Sequence, residues 1–407
     1  MQTLKLSPPL SLLPLPAAVP LEFHLVRDAV ALEALADDWR ALLRASASDE
    51  PMLAPDWLLT WWGVYGGPSG RRLRVGLFYE GERLVGLVPL CSRRAWHRPG
   101  IPMRRLELIG CDVDEGDGVC SEYLGVIAAR GHETRIAEAC AREVLRGSFG
   151  PWHELVLSAL DGEHPMTDLL LEAFAQRACP GERTVLMDSP YLTLPNSWEA
   201  YLRGTLNRDK RHKLQGALKD FETWAEGDWY VERVRCAEDL RKGQALLAEL
   251  HNHRWEAGDG QPGVFSKPRF VSFHQEYMPR LLEQGGLELL WLVAKGKPVA
   301  AQYQIMANGK AYYYQCGRRI DVPHRVRPGI FLLSLAIQEA IGKGLREFDF
   351  LGGDAQYKRM MTRTSRPVVQ LRFSRGGPRE WLRRGAAWAI GQARRLRRRL
   401  PAGANLP

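Results

Sequence analysis

The residues of this chain that are best suited to chemistry lie in one short segment, REFDFLGGDAQYKRMM, at residues 346–361. Ionisable groups gathered at the end of a strand are candidates for proton transfer and for neutralising an anion. Tyr357 is suited to protonating a departing thiolate, and Lys358 to holding a phosphate or a carboxylate. The candidate catalytic residues are therefore Asp349, Asp354, Tyr357 and Lys358, and Gly353 shapes the turn between them.

The two carboxylates of this segment each allow a simpler interpretation. Asp354 stands just before a short predicted helix, where it is a potential N-cap with a purely structural role. Asp349 alternates with Phe348 and Phe350 and so faces away from them, which is compatible with a general base or with the polar face of a strand. The sequence alone does not decide between these roles.

A second candidate segment is the basic loop RRIDVPHRVRPGI at residues 318–330, which leads into an apolar helix. The first turn of a helix presents unpaired backbone N–H groups and the positive end of the helix dipole, so it suits a pyrophosphate. Arg325, Arg327 and the small residue Gly329 are the candidate cofactor-binding residues, together with Gly353. The alternative interpretation is a solvated basic loop.

The elements that must position these residues recur twice along the chain. RLRVGLFYEGERLVGLVPL in the first half and LELLWLVAKGKPVAAQYQI in the second both predict strand, glycine turn and strand. In both halves a helix and a further strand follow, ending in HELVLSAL or in REFDFLGG. A repeat of roughly 150 residues indicates duplicated domains rather than a solenoid. The predicted fold class is α+β, with two tandem units, each a mostly antiparallel mixed sheet flanked by helices.

The predicted domains follow from this repeat. Residues 1–20 form a Pro-rich, disordered leader, 21–187 the first domain, 188–375 the second, and 376–407 a basic tail. Helical spacing of apolar residues predicts an amphipathic helix over 21–44. The loop of the first unit that corresponds to the basic loop is CDVDEGDG, which is acidic and would repel phosphate. The second unit is therefore the expected place for a nucleotide-type cofactor.

The positive charge of the chain is concentrated at one end. The formal net charge is +9, and residues 372–407 contain ten Arg and one Glu with no Lys or Asp, so the rest of the chain is neutral. This distribution argues against a nucleic-acid-coating surface, which needs many cations on one face. A basic stretch at 203–219 is either an electrostatic funnel for a phosphorylated ligand or a solvated helix surface.

Composition also predicts the compartment and the tail's partner. The seven cysteines are scattered, with no C-x-x-C pair and no His at ligand spacing, so a reducing, cytoplasmic location without a metal site is expected. An alternative interpretation of the leader is a targeting segment. The tail WLRRGAAWAIGQARRLRRRL combines arginines with aromatic residues, which indicates either an element attracted to anionic lipids, peripheral at the inner membrane, or a solvated tail.

Several of these runs resemble the FemAB/CelD-like branch of the GNAT acyltransferase superfamily, in which two acyltransferase folds are fused. The resemblance rests on DEPMLAPDWLLTWWGVYG, YLRGTLNRDKRHKLQGALKDFE and, most specifically, RPGIFLLSLAIQEAIGKGLREFDFLGGDAQYKRMMT, and it spans roughly residues 21–375. The glycine-rich phosphate loop of simple GNAT enzymes is missing, since Gly329 alone remains. No coiled-coil insertion of the kind found in tRNA-using FemAB enzymes is evident.

The resemblance implies acyl-CoA, such as acetyl-CoA, as co-substrate and an amine-bearing acceptor, either a small molecule or a glycan precursor, in exopolysaccharide or cell-envelope biosynthesis. It places the family's signature on Asp349, Gly353, Asp354, Tyr357 and Lys358, and the helix entry on Arg327 and Gly329. The alternatives are aminoacyl transfer from tRNA and a non-catalytic scaffold of a polysaccharide system. Because no Ser-His or Cys-His pairing is evident in the sequence, direct transfer in a ternary complex is expected.

Overall fold

The computed structural model of the 407-residue chain describes residues 19–111, 116–353 and 355–399. Most of the expected leader, the middle of the acidic loop, Asp354 and residues 400–407 lie outside the described residues.

The described residues contain thirteen strands, which all belong to one sheet. They are β1 Leu21–Val26, β2 Arg72–Glu80, β3 Arg83–His97, β4 Ile101–Leu108, β5 Ile127–Ala128, β6 Glu154–Asp161, β7 Glu182–Thr193, β8 Trp229–Arg233, β9 Leu287–Ala294, β10 Lys297–Ala307, β11 Lys310–Arg318, β12 Glu347–Asp349 and β13 Thr364–Ser374.

Twelve α-helices flank this sheet in the same part of the chain. They are α1 Ala29–Glu33, α2 Ala36–Arg44, α3 Pro55–Trp61, α4 Glu133–Arg146, α5 Pro165–Ala175, α6 Trp198–Ala200, α7 Arg208–Ala225, α8 Ala237–Asp259, α9 Pro268–Glu283, α10 Pro328–Gly342, α11 Gln356–Met361 and α12 Pro378–Arg399. Short helical turns lie at Pro51–Leu53, Trp62–Gly66, Tyr201–Thr205 and Val264–Ser266.

The two halves of the sheet have the same arrangement of strands when each is followed from its outer edge to the centre. The order is β1-β2-β3-β4-β6-β13-β7-β12-β11-β10-β9-β8, with β5 paired to β3 off this path. From each edge, four antiparallel strands lead to a parallel pair, which is β4 with β6 in the first half and β11 with β12 in the second. In both halves a helix, α4 or α10, connects the two parallel strands. The structure confirms the predicted α+β class and the tandem duplication.

The two halves exchange strands at the centre of the sheet. β7, which follows the first half in sequence, pairs with β12 of the second half. β13, the last strand of the second half, pairs with β6 of the first, and β7 and β13 also pair with each other. The expected boundary between residues 187 and 188 falls inside β7. Backbone hydrogen bonds therefore run without interruption from one half into the other.

The start of the first half differs from the sequence-based prediction of one helix over 21–44. Residues Leu21–Val26 form β1, which pairs with β2 and places Phe23 against Phe78 and Phe149. The helical part is split into α1 and α2, which bury Leu32, Trp39, Leu42 and Leu43. The prediction was wrong for residues 21–26 because LEFHLV also alternates apolar and polar residues, and pairing with an edge strand decided its conformation.

A hydrophobic core joins the two halves on one side of the sheet. Trp57 on α3 is fully buried, and its ring centroid lies 4.7 Å from that of Phe273 and 4.9 Å from that of Tyr277, both on α9. On the other side, α7 and α10 cover the second half, with Phe221 stacked on Phe331 at 4.1 Å. This packing fixes α7 and α10 relative to each other.

Candidate active site

The second half opens where its two parallel strands separate. β11 and β12 pair only over three positions, from Lys310 with Glu347 to Tyr312 with Asp349, after which β12 ends and β11 continues to Arg318. A cleft of about 1410 Å³ lies there, walled by α7, the end of β11, the start of α10 and α11. The register between β10 and β11 also shifts beside the cleft, at Tyr303. Such irregularities are common next to active sites.

The corresponding place in the first half is filled. Leu124, in the loop after β4, donates its backbone N–H to the carbonyl of Ala159 on β6 at 2.9 Å. Leu124, Tyr123 and Val126 are buried, and the nearby cavity that they line measures only about 30 Å³. In the acidic loop, Asp117 forms an ion pair with Arg269 of α9 at 2.7 Å. Residues 123–126, which follow the acidic loop, thus fill the site, and Asp117 of the acidic loop binds the second half.

The cleft of the second half is strongly basic. Its lining includes seven Lys or Arg side chains and one carboxylate, Asp220. The cations come from α7, α8, the basic loop and α11, and they are Lys210, Lys213, Arg254, Arg318, Arg325, Arg327 and Arg359. An excess of like charge in a cleft with protein walls attracts an oppositely charged ligand. The cleft is therefore suited to a polyanion such as a nucleotide diphosphate.

The N-terminus of α10 opens into this cleft. Its N-cap residue is Arg327, whose side chain makes no capping hydrogen bond, and Pro328 and Gly329 follow. A methyl group on Gly329 would lie 3.4 Å from Cδ of Arg318, so the Arg318 side chain runs past the first turn. Burial lowers the pKa of Arg318, and the charges of Arg254 and Arg327 lower it further. A bound phosphate at this helix end would relieve that repulsion.

Tyr357 lies at the inner end of the cleft beside residues that sequence reasoning missed. Its ring meets that of Tyr313 on β11 edge to face at 6.3 Å. Burial raises the pKa of Tyr357 well above its ordinary value, as does the neighbouring Cys316. Arg254 on α8 donates from Nη1 to Sγ of Cys316 at 3.4 Å. No sequence signal marked Arg254, because α8 is remote from the other cleft residues along the chain.

Lys358 has a structural position rather than one in the cleft lining. It is buried, and its Nζ donates to the carbonyls of Leu351 at 2.9 Å and Gly352 at 2.6 Å. Burial lowers the pKa of Lys358, against the opposing charge of Glu122. The ammonium thus holds the turn that contains Gly353, whose φ of 103° suits glycine. This turn sets the start of α11 and with it the position of Tyr357.

Asp349 faces the opposite side of the sheet from the cleft. Phe348 and Phe350 pack under α10, so the alternation of the strand turns the carboxyl group of Asp349 toward the first half. Tyr123 donates its hydroxyl to Oδ2 at 2.8 Å, and the N–H of Leu351 donates to Oδ1 at 2.7 Å. The structure therefore brings Arg325, Arg327, Gly329 and Tyr357 together in the cleft, but not Asp349 or Lys358.

The stability of the protein should depend on the protonation of Asp349. Burial raises the pKa of Asp349 to about 7, although the charge of Arg366 opposes this. At pH values between the ordinary pKa of aspartate and about 7, the folded chain keeps a proton on Asp349 that the unfolded chain has released. The stability of the folded chain therefore falls as the pH rises through this window. We expect the melting temperature of wild type minus that of Asp349→Asn to decrease between about pH 5 and about pH 8. A difference that is constant or increasing in thermal scans would contradict this assignment.

A comparison with known protein families finds a match to the part of the chain that contains the cleft. The family model described as "Acetyltransferase (GNAT) domain" matches residues 208–359, which run from the start of α7 into α11. Residues 208–359 are therefore similar to a GNAT domain. The matched segment contains every cleft residue named above, from Lys210 to Arg359. This likeness supports a transferase.

Comparison with solved structures extends the fold likeness to both halves. The crystal structure of FemX is 11% identical, with a TM-score of 0.57 over 83% of this chain and 96% of FemX. A conserved protein of unknown function from Bacteroides thetaiotaomicron is 12% identical, with a TM-score of 0.53 over 86% of this chain and 100% of that protein. At these identities the likeness concerns the fold alone. A search of curated proteins finds no match.

The described residues were also compared with the requirements of a metal site and of a membrane-spanning helix. Among residues 19–111, 116–353 and 355–399 there is no group of three or more His, Cys, Asp or Glu side chains that could hold a metal ion. Within the same residues, every helix is too short or too polar to cross a membrane.

Proposed function

We propose that the cleft of the second half transfers an acyl group from acyl-CoA, such as acetyl-CoA, to the amine of an acceptor. The observation that carries this proposal is the joining of two features in one cavity of about 1410 Å³. One is the uncapped start of α10 among arginines, and the other is the group of polar side chains around Tyr357. The first suits the pyrophosphate of CoA, and the second suits the reacting thioester.

The residues of the cleft have separate tasks in this proposal. Arg325 and Arg327 hold phosphate oxygens, and the small side of Gly329 lets the pyrophosphate approach the backbone N–H groups of α10. Tyr357 remains protonated at neutral pH, because its pKa is raised, and donates a hydrogen bond to the departing thiolate. Lys358 and Gly353 hold the turn before α11. Asp349 receives no role in proton transfer, because its carboxyl group lies on the other face of the sheet.

Replacing Arg327 by alanine is expected to weaken acyl-CoA binding. A hydrogen bond to a charged group contributes about 1.5–3 kcal/mol, so the KM for acetyl-CoA should rise roughly 10-fold to 100-fold. The measurement is initial-rate kinetics with acetyl-CoA and a panel of amines, together with calorimetric titration of acetyl-CoA. The matched control is Arg319→Ala, because Arg319 belongs to the same loop but pairs with Asp321. Equal KM values for the two variants would contradict the phosphate site.

A second candidate function is transfer of an aminoacyl group from tRNA. The observation in its favour is that basic residues continue beyond the cleft, where Arg203 and Arg211 line a neighbouring hollow of about 670 Å³. A longer polyanion than CoA would use this surface. Activity that requires charged tRNA and disappears after RNase treatment would establish this candidate. Activity with acetyl-CoA alone, unaffected by RNase, would exclude it.

The cellular setting is also a proposal, and it rests on the FemAB/CelD-like resemblance and on α12. We propose a cytoplasmic enzyme that acts on a small amine or a glycan precursor of an exopolysaccharide or the cell envelope. The first turn of α12 is fixed to the sheet, because Arg372 on β13 donates to Glu380 at 2.6 Å. Trp381 and Trp388, which are 76% and 68% exposed, project from the same face of this fixed helix.

The exposed face of α12 should bind anionic membranes. Tryptophans flanked by arginines enter the interfacial region of a bilayer, and the arginines are attracted to anionic lipid. We expect full-length protein to sediment with phosphatidylglycerol vesicles but not with phosphatidylcholine vesicles, and less so at high salt. The double substitution Trp381→Ala and Trp388→Ala should release it. Trp96→Ala, at a tryptophan on β3 that is 64% exposed, is the control. Equal sedimentation of the double variant and this control would contradict the membrane surface.

A further inference from the structure

Arg254 differs from the other cations of the cleft in its burial and in its partners. Five of the seven cations that line the cleft are exposed to solvent, and they are Lys213, Arg318, Arg325, Arg327 and Arg359. Lys210 and Arg254 are half-buried. Lys210 donates its Nζ to two backbone carbonyls. Arg254 donates to Sγ of Cys316 at 3.4 Å, and in the part of the chain that the structure describes it forms no ion pair with a carboxylate.

The packing of α8 against β11 holds the Arg254 guanidinium in place at the inner end of the cleft. His251, one turn earlier on α8, donates its Nδ1–H to the carbonyl of Cys316 at 3.0 Å. Gly317 packs so closely against the backbone of α8 that a methyl group has no room there. A guanidinium carries five N–H donors, and a parallel pair of them matches the two oxygens of a carboxylate. Arg254 therefore presents a preorganised site for an anion beside Tyr357.

The anion that this site fits is not part of acetyl-CoA. The negative charges of CoA lie on its phosphates, which the proposed function places at the start of α10 with Arg325 and Arg327. The pantetheine arm and the acetyl group, which would extend toward Tyr357, carry no charge. Because a charge that is taken out of water needs a partner, the half-buried Arg254 indicates an anionic group on the second substrate.

The charge of the cleft also disfavours an acceptor that is only a cation. Asp220 is the single carboxylate among the lining residues that the structure describes, and it lies exposed on α7. Asp349 faces the other side of the sheet. Seven cations would repel an acceptor whose only charge is an ammonium group. A carboxylate on the acceptor cancels that positive charge and supplies the partner that Arg254 lacks.

Gln302 offers a free oxygen at the same level of the cleft. It lies on β10 directly opposite Cys316 in the antiparallel ladder, so the two side chains project from the same face of the sheet. The side chain is 1% exposed, and its Nε2 donates to the carbonyl of Leu332 at 3.4 Å. Its Oε1 has no hydrogen-bond partner among the described residues. A buried oxygen without a partner is costly, and the N–H of an amine would complete it.

We propose that the acceptor is an amine that also carries a carboxylate, such as an amino acid, and that Arg254 binds this carboxylate. The proposal rests on the proposed function and names the substrate class of the same cleft. Arg254 holds the two carboxylate oxygens with parallel hydrogen bonds, and Oε1 of Gln302 accepts one from the amino group. Arg254 is thus a residue that determines specificity for the acceptor and positions the amine for attack on the thioester.

The test measures initial rates of the full-length protein with matched pairs of amines, each pair being an amino acid and its carboxamide. With acetyl-CoA as donor, wild type should prefer the acid by roughly 10-fold to 100-fold in kcat/KM, the range expected for a hydrogen bond to a charged group. Arg254→Ala should lose this preference through a higher KM for the acid, with an unchanged KM for acetyl-CoA. Succinyl-CoA, whose acyl group carries a carboxylate, is tested as a second donor.

The matched control is Arg241→Ala, because Arg241 lies exposed on the same helix and outside the cleft. This variant should keep the preference for the acid. The melting temperatures of both variants show that they are folded.

The contrary results separate this proposal from the proposed function. If wild type acetylates the acid and the carboxamide with equal kcat/KM, this proposal fails while the proposed function stands. If Arg254→Ala slows both members of each pair equally, or loses a preference for succinyl-CoA instead, Arg254 does not bind the carboxylate of the acceptor. If calorimetry detects no acetyl-CoA binding and no amine is acetylated, the proposed function fails and this proposal fails with it.

Discussion

Replacing Glu154 by alanine is expected to lower the free energy of unfolding by roughly 3–5 kcal/mol, the usual cost of removing one partner from a buried ion pair. Glu154 stands on β6 with its side chain fully buried. Arg105 donates to it at 2.8 Å, Arg372 at 2.9 Å and His97 at 2.9 Å. Because Arg372 belongs to β13, the carboxylate joins the exchanged strand to the first half. Its removal takes away the carboxylate that Arg105 and Arg372 share, and leaves Arg372 with Glu380 and Arg105 with the more distant Glu107.

The measurement for Glu154→Ala is equilibrium denaturation with a chemical denaturant. Glu163→Ala is the matched control, because Glu163 is exposed and follows the same strand by two residues. The control should change stability by less than about 0.5 kcal/mol, as is usual for surface substitutions. A loss of similar size in both variants would show that the network around Glu154 does not hold the strands together.

The contribution of Glu154 should also disappear in acid. Burial alone would raise the pKa of Glu154, but the hydrogen bond from His97 and the charge of Arg105 outweigh it and lower the pKa to about 2. A lowered pKa in the folded chain means stability that is present above the ordinary pKa of glutamate and is lost as pH falls toward about 2. The stability difference between wild type and Glu154→Ala should shrink over that interval.

Replacing Gly317 by alanine is expected to impair the cleft as well as stability. A methyl group on Gly317 would lie 2.3 Å from the backbone nitrogen of His251 and 2.5 Å from the carbonyl carbon of Leu250, both on α8. The backbone of a packed helix yields only by moving as a whole, and overpacking of this kind costs about 1–3 kcal/mol or more. The same helix carries Arg254, so its displacement should separate the guanidinium from Cys316.

The expected result for Gly317→Ala is a lower melting temperature together with a loss of acyl transfer. Gly342→Ala is the control, because Gly342 lies near the end of α10 with open space at its Cβ position. Alanine is favoured over glycine in a helix by up to about 1 kcal/mol, so this variant should be as stable as wild type or more so. A Gly317→Ala protein with wild-type stability and activity would refute the close contact between β11 and α8.

Local features of the fold were predictable because local chemistry determines them. The turn at Asn308 and Gly309 has positive φ at both residues, which an Asn-Gly pair favours, and it joins β10 to β11. Gly81 has the same role between β2 and β3. The apolar run after the basic loop forms α10, which begins at Pro328, one residue before the expected Gly329. In these segments the residue types leave one favourable conformation.

Features that depend on distant pairing were not predictable in this way. β7 and β13 exchange between the halves through contacts across more than 170 residues, and no property of either strand alone specifies its partner. The same limit applies to the site. Alternation correctly turned Asp349 away from the two phenylalanines, but only the structure shows that this direction leads away from the cleft. Arg254 and Cys316 meet through the packing of α8 against β11.

The most direct test of the central claim is a crystal structure of the full-length protein with bound CoA. The account predicts that the pyrophosphate lies at the start of α10, within hydrogen-bonding distance of the Gly329 N–H and of Arg327. It also predicts that the thiol of CoA points to Cys316 and Tyr357. Binding of CoA in the first half, or outside the basic cleft at saturating concentration, would contradict the assignment of the acyl-donor site.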